Sequence, residues 1–228
     1  MTVHEPSERR KNSDASPGRN RPDKRQELAQ HALSALAELG FARLNLREIA
    51  TRSGVALGVI HYYFKDKKDL LIYCVGLYKD AFIQNLEEQI ASADNLYALE
   101  SQFITALVQS VEDQGHIHRL WYDIRAQALF DTAFHPVVDD HEARLIGVVR
   151  QFLDKTRVLN GSVEPLGRAD PLDVYLRLDG WFRYFLQQHL AGNPQAGMLF
   201  RQRLERLLEP ASQGLPQQHG GPDDQVSQ

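Results

Sequence analysis

Residues 53–71 read SGVALGVIHYYFKDKKDLL, and their side chains suit contact with a polyanion. His61, Tyr62 and Tyr63 place an imidazole and two phenols in a row, and Lys65, Lys67 and Lys68 follow Phe64. Imidazole N–H, phenolic O–H and ammonium N–H groups all donate hydrogen bonds to phosphate oxygens. A core helix would hide its aromatics and avoid a lysine cluster. A helix that packs on one side and meets a polyanion on the other needs both.

Positioning such a helix takes a second one and a tight turn. LREIATRSGVALGVIHYYF supplies the parts in order: Ile49 and Ala50 give a small apolar contact surface, Gly54 permits the positive φ of a turn, Val55 plugs the space between the helices, and Ile60 faces the core. This is the helix-turn-helix arrangement. Asn45 is placed to cap the first helix, with Glu48 three residues on as in a capping box. The second helix, about 57–63, then presents Leu57, Gly58, Val59, His61, Tyr62 and Tyr63 outward, its N-terminal half toward base edges in a major groove. Lys67 adds charge at the positive end of the next helix.

Charge distribution points the same way. The chain of 228 residues carries a net charge of -4. Residues 1–70 hold 13 Lys and Arg against 9 Asp and Glu, and the remainder 13 against 21, so the basic end is where a polyanion would bind. Residues 1–22 are polar and basic, and with the first turn of the first helix they supply Arg9, Arg10, Lys11, Arg19, Arg21, Lys24 and Arg25. They read as a disordered arm, as residues 210–228 read as a disordered tail. The single cysteine, Cys74, excludes an internal disulfide and fits a reducing compartment. No apolar run approaches the ~20 residues of a membrane span, and the N-terminus lacks the apolar core of a signal peptide. A cytoplasmic protein with no membrane partner is expected.

Nearly everything between arm and tail has helical period, so the fold class is all-α with about nine helices. The first runs from about Asp23 to Leu39 and stops at Gly40. A long fourth starts near Asp66 and reaches about Ile90. Asp94 caps a fifth to about Glu112, a sixth spans about 116–130, and a seventh about 136–156. Asp170-Pro171 and Asn193-Pro194 start the last two.

GFARLNLREIATRSGVALGVIHYYFKDKKDLL resembles the N-terminal domain of TetR-family transcriptional regulators. The resemblance is carried by Gly40-Phe41, Asn45, Ile49-Ala50, Gly54-Val55, Tyr62-Tyr63-Phe64, Lys67 and Leu70-Leu71 over about 48 residues. Asn45 replaces the usual Thr, and His61 the usual phosphate-contacting Tyr. The resemblance implies a double-stranded DNA operator, a homodimer and a small-molecule effector of unidentified structure. It implies a DNA-binding domain over 23–68, with Asn45, Arg47 and Ala56 joining the outward residues above, and a ligand-binding and dimerisation domain over 69–209. RLWYDIRAQAL and LDGWFRYFL are similar to the subgroup that includes the choline-responsive repressor, which does not identify a ligand here.

In the larger domain, Trp121, Tyr122, Phe130, Phe134, Trp181 and Tyr184 suit a pocket between helices, with Asp123, Arg125 and Gln127 as polar anchors. Apolar stripes on the last two helices, Tyr175, Leu178, Phe182 and Phe185 with Leu204, Leu207 and Leu208, suit a four-helix dimer interface. The histidines and acids at His116, His118, His135, Asp139, Asp140 and His141 invite a metal, but His135 and His141 are six apart rather than the i, i+4 spacing of two ligands on one helical face, and no metal is expected. There is no nucleophile–base pattern or Gly-rich phosphate loop, so neither enzyme activity nor a cofactor is expected. The competing reading is an all-α enzyme or binding protein with a structural N-terminal hairpin and a catalytic His/Asp cluster.

Overall fold

Four of the eight α-helices among the described residues start on an Asn or Asp whose side chain accepts a free backbone amide. Asn45 accepts from Glu48 N at 2.9 Å, Asp66 from Asp69 N at 2.9 Å, Asn95 from Ala98 N at 2.9 Å and Asp170 from Leu172 N at 2.8 Å. The computed structural model of the protein describes residues 24–161 and 169–208. Within them lie α1 (Lys24–Arg43), α2 (Leu46–Arg52), α3 (Leu57–Tyr63), α4 (Lys67–Ser92), α5 (Leu96–Ala128), α6 (His135–Leu159), α7 (Pro171–Leu190) and α8 (Ala196–Leu208), with a 3-10 turn at Thr132–Phe134 before α6. The described residues contain no strand. The fold is all-α, and no described helix is long and apolar enough to cross a membrane.

Four expected boundaries move, each for a local reason. The fifth and sixth helices are one helix, α5, bent at Gln114 (φ -126°, ψ 17°); this leaves eight α-helices among the described residues. Its cap is Asn95, because the Asp94 carboxylate is taken by Asn95 Nδ2 at 2.7 Å. The last helix begins at Ala196 rather than at Pro194, since Asn193 Oδ1 accepts Gln195 N at 3.0 Å and holds the intervening residues in a turn. Helical backbone resumes after Gly40 and ends at Arg43, but Gly40 itself sits at φ 73°, a break that glycine adopts without Cβ strain. The basic arm of 1–22 and the tail of 210–228 lie outside the described residues.

Helix α5 packs against α1, α4, α6, α7 and α8 and so forms the axis of the core. Helix α4, about 39 Å long at 1.5 Å per residue, buries Leu70, Leu71, Cys74 and Val75 at one end and Phe82, Ile83, Leu86 and Ile90 at the other. It lies along α6, with Gln151 Nε2 3.3 Å from Glu87 Oε1, Lys155 Nζ 3.4 Å from Ala91 O, and Arg144 paired with Asp80. One continuous helix thus joins the N-terminal three-helix unit to the larger bundle.

Candidate nucleic-acid interface and buried cavity

Helix α2 closes on Ser53, whose amide donates to Ile49 O at 2.9 Å and whose Oγ donates to the same oxygen at 2.7 Å. Gly54 then turns at φ 64°, and Val55 N donates back to Ala50 O at 3.0 Å. This turn sets α3 across α2. Ile49, Ile60 and Phe64 are fully buried, and Ala50 is nearly so. Burying these side chains ties α3 down along one face, each apolar residue contributing about 1.5–3 kcal/mol. The opposite face is left to solvent: Gly58, Val59, His61 and Tyr62 are exposed, Tyr62 by 82%. Asn45, Arg47 and Ala56 are exposed as well; Leu57, Tyr63 and Lys67 are half-buried. Tyr63 meets Tyr62 edge-on at 4.9 Å.

The expected reciprocal capping box is absent. Asn45 caps, but the Glu48 carboxylate accepts Arg52 Nε at 2.7 Å, and Arg52 reaches Glu38 of α1 at 2.7 Å. Glu48 therefore links α2 to α1 instead of returning to the cap.

In the bundle, α4, α5, α6 and α7 enclose a cavity of about 60 Å³. Leu86, Leu107, Leu145, Val148, Val149 and Leu178 wall it, with the rings of Phe82, Phe103, Trp121, Tyr122, Tyr175 and Phe182. Two charged groups reach it, Lys79 and Asp179. Both oxygens of the Asp179 carboxylate are engaged: Arg125 donates to one at 2.8 Å, and the Tyr122 hydroxyl to the other at 3.0 Å. Arg125 also pairs with Glu142 at 2.7 Å. Lys79 is 3% exposed and makes no hydrogen bond or ion pair among the described residues. Its Nζ sits 4.7 Å from the Trp121 ring centroid and 5.0 Å from that of Phe82. Burial pushes the Lys79 ammonium down to about 7, partly opposed by the Asp179 charge. Burial, with Lys79 close by, also holds His118 well below the usual imidazole range, and His118 Nε2 bonds the Tyr78 hydroxyl. A larger, wetter cleft of about 230 Å³ lies between α4 and α5 near the Gln114 bend and shares Phe82 with the first.

Of the pocket residues expected from sequence, Trp121 and Tyr122 line the cavity, and Arg125 stands behind Asp179. The others point elsewhere. Phe130 is 87% exposed, and Tyr184 is also on the surface. Phe134 is buried beneath the 3-10 turn, with Lys68 Nζ 5.7 Å above its ring. Asp123 and Trp181 are half-buried outside the cavity lining. Helical period explains this. Positions 175, 178, 179 and 182 share a face of α7, whereas 184 lies about 170° and 181 about 110° round the helix from the centre of that face. Lys79 and Asp179 are not among the pocket residues expected from sequence, and Tyr175 is expected at a dimer interface instead. The legible signal was Lys79 itself, a lysine on the otherwise apolar stripe Val75, Ile83, Leu86, Ile90 of α4.

The expected dimer residues also turn inward. Tyr175, Phe182, Phe185 and Leu204 are buried in the single chain, and Leu178, Leu207 and Leu208 are half-buried. The apolar side chains that α7 and α8 leave exposed are Leu172, Leu176, Tyr184, Leu190, Met198 and Leu199. The stripes read as an interface close the core, because α7 is apolar on two faces.

Comparison with known proteins bears on both regions. Residues 29–74 match the model described as bacterial regulatory proteins, tetR family. The HTH-type transcriptional regulator BetI of Klebsiella pneumoniae is 32% identical over 102 residues, 42% of this chain and 48% of that protein. The chain spans between a third and two thirds of the length of the first curated relatives it matches. Among solved structures, a putative transcriptional regulator from Saccharomonospora viridis in complex with choline superposes with a TM-score of 0.66 at 16% identity, over 81% of this chain and 94% of that one. FadR from Bacillus subtilis in complex with stearoyl-CoA gives 0.63 at 17%, over 81% and 98%. At such identities the likeness is one of fold. The turn at Gly54, the buried Ile49, Ile60 and Phe64 beneath an exposed α3, and the all-α fold agree with the family match, and residues 29–74 form a domain of the tetR family of bacterial regulatory proteins.

Proposed function

We propose that the protein is a ligand-responsive transcriptional repressor that binds a palindromic DNA operator as a homodimer and is released by a small-molecule effector. The observation that carries this reading is the division of α3 into a buried face, Ile60 with Phe64 at its end, and a solvent face bearing Gly58, Val59, His61 and Tyr62. The solvent face enters the major groove. His61 and Tyr62, with Lys67 at the start of α4, contact phosphate, and Asn45, Arg47, Ala56, Leu57 and Tyr63 complete the contact surface. The exposed stripe of Leu172, Leu176, Tyr184 and Leu199 is the dimer contact, in place of the buried residues expected from sequence. The cavity beside Lys79 is the effector site, a reading supported by the choline and stearoyl-CoA bound to fold relatives.

Helix α4 is the lever. It carries Lys67 at the DNA end and Lys79 in the cavity, about 18 Å apart at 1.5 Å per residue. Lys68 pairs with Asp131 ahead of the 3-10 turn, and Arg119 of α5 lies beside Gly40 of α1. These contacts tie the N-terminal unit to the helices around the cavity. An effector that favours one setting of α4 shifts the population away from the DNA-competent form by its differential affinity for the two.

The test is binding to DNA from the protein's own promoter region, measured by gel shift and by fluorescence anisotropy across a salt series. Affinity is expected to fall steeply with salt as phosphate contacts release counterions. Tyr62→Ala is expected to weaken binding by about 1–2 kcal/mol, the scale of a hydrogen bond to a charged group, with the melting temperature unchanged because the ring is exposed. Lys67→Ala should weaken binding to all sequences alike and flatten the salt slope by about one unit. Salt-independent binding, or a Tyr62→Ala loss matched by a loss of thermal stability, would remove α3 as the DNA contact.

A further inference from the structure

The cavity contains two buried donors without acceptors. Lys79 Nζ sits over the rings of Trp121 and Phe82 and makes no hydrogen bond or ion pair among the described residues, and the Tyr175 hydroxyl, on a residue 6% exposed, has no hydrogen-bond partner. Both side chains line the same small space and both feel the Asp179 charge. Asp179 serves neither: its two oxygens accept from Arg125 and Tyr122, and neither Lys79 nor Tyr175 hydrogen-bonds it among the described residues. Buried donors are costly unless something accepts from them. Apart from Asp179 and the Tyr122 hydroxyl bound to it, the remaining wall is aliphatic and aromatic carbon.

We propose that the effector is a compact apolar carboxylate, its head group accepting hydrogen bonds from Lys79 Nζ and the Tyr175 hydroxyl and its body filling the apolar remainder of the cavity. This rests on reading the cavity as the effector site. A neutral acceptor would satisfy the hydrogen bonds but leave the ammonium uncompensated. A carboxylate does both, and charge-assisted bonds are roughly twice as strong as neutral ones. The same geometry disfavours a quaternary ammonium. Such a ligand would set a second cation beside the Lys79 ammonium and would leave both donors without an acceptor.

Binding then carries a proton signature. Lys79 titrates near 7 in the empty cavity, and an adjacent carboxylate favours its charged form. His118 and Arg125 of α5 act on it electrostatically, and Tyr122 of α5 and Tyr175 and Asp179 of α7 line the cavity with it. His141 of α6 lies against Trp121, Glu142 of α6 pairs with Arg125, and Tyr78 precedes it on α4. Burial lowers His118 and raises the three tyrosines, so these do not titrate with it. Removing Lys79 reports on the rest.

The test uses the full chain without DNA, so that it stands apart from operator binding. Hexanoate and phenylacetate are titrated against hexanol, phenylethanol and choline, read by calorimetry and by the fluorescence of Trp121. The acids are expected to bind at least about tenfold more tightly than the matching alcohols near pH 7, and to lose about tenfold per pH unit above it. Calorimetry in buffers of different ionisation heat should show proton uptake. Lys79→Met, which keeps the shape of the chain, should bring acids and alcohols to equal affinity. Tyr175→Phe should reduce the acid preference by about threefold to tenfold, one hydrogen bond's worth. Choline or the alcohols binding as well as the acids, an acid preference that survives Lys79→Met, or no binding of either acid at millimolar concentration would overturn the proposal. Acids that bind as described yet leave operator affinity unchanged would instead count against the regulator reading.

Discussion

Lys79→Met is expected to stabilise the protein at neutral pH and to lose that advantage as the solution is made alkaline. The ammonium is buried without an ion pair, and its ionisation lies at about 7 against an ordinary 10.5. At 1.36 kcal/mol per pH unit, that difference corresponds to about 5 kcal/mol of unfavourable burial at low pH. The faces of Trp121 and Phe82 return about 2 kcal/mol when a cation is desolvated against them. A net gain of about 2–3 kcal/mol near pH 7 follows for the apolar side chain, within the range seen when buried charges are replaced by hydrophobic residues. The folded-state value is depressed, so between about 7 and 10.5 the unfolded chain holds a proton that the folded one has released, and wild-type stability rises with pH. The gain from Lys79→Met should therefore shrink by about 2 kcal/mol between pH 7 and 9. That window is chosen because other shifted groups act outside it. Cys74, raised by burial from 9.0 to about 12, destabilises the fold only above pH 9 as the unfolded thiol ionises. His118, kept neutral by burial, destabilises it below its ordinary 6.5 as the unfolded imidazole takes up a proton. Urea unfolding of both proteins across the window measures the difference. A destabilised Lys79→Met protein at every pH would mean that the ammonium is a structural anchor.

What the sequence made legible was local. Asn45 at the start of α2 and Gly54 in the turn are short-range signals: a side chain that accepts an amide three residues on, and a residue that turns at positive φ without strain. The alternation of Ile60 and Phe64 with exposed His61 and Tyr62 needs only helical period, and α3 was read at its observed bounds. Longer-range features were not legible. Whether the chain breaks or only bends at Gln114 depends on α5 packing against helices far along the sequence. Lys79 shows the same limit. Long lysines usually sit at a surface, and only the closing of α5, α6 and α7 around α4 leaves this one inside. Phe130 and Tyr184 failed in the opposite sense: aromatic rings near a Trp suggested a pocket wall, yet Phe130 falls in the exposed turn after α5 and Tyr184 on the outer side of α7. Helix α7 is apolar on two faces, and its sequence alone does not say which face meets the core.

That ambiguity makes the last prediction sharp. Phe182→Glu is expected to unfold the chain, and Leu176→Glu to leave it folded but monomeric. Phe182 is 7% exposed and packs its ring 4.6 Å from that of His118, 5.9 Å from Phe200 and 6.3 Å from Phe82. Removing the ring costs about 3–5 kcal/mol in cavity and lost packing. A carboxylate put there, beside a neutral imidazole and two phenyl rings, adds the desolvation of a charge. The sum rivals the whole stability of a typical domain, about 5–15 kcal/mol. Leu176, six residues earlier, is 54% exposed, so a carboxylate there stays in water in the monomer and changes its stability by no more than about 0.5 kcal/mol. In a dimer built on the outer stripe of α7, the same carboxylate is buried against a second copy and meets its own symmetry mate. Sedimentation should then find Leu176→Glu monomeric with native circular dichroism. Operator affinity should fall about hundredfold or more, since two linked half-site contacts become one. Phe182→Glu should instead lose its helical signal or aggregate. A folded, monomeric Phe182→Glu protein together with a dimeric Leu176→Glu protein would reverse the two faces of α7 and place the interface on the residues that here close the core.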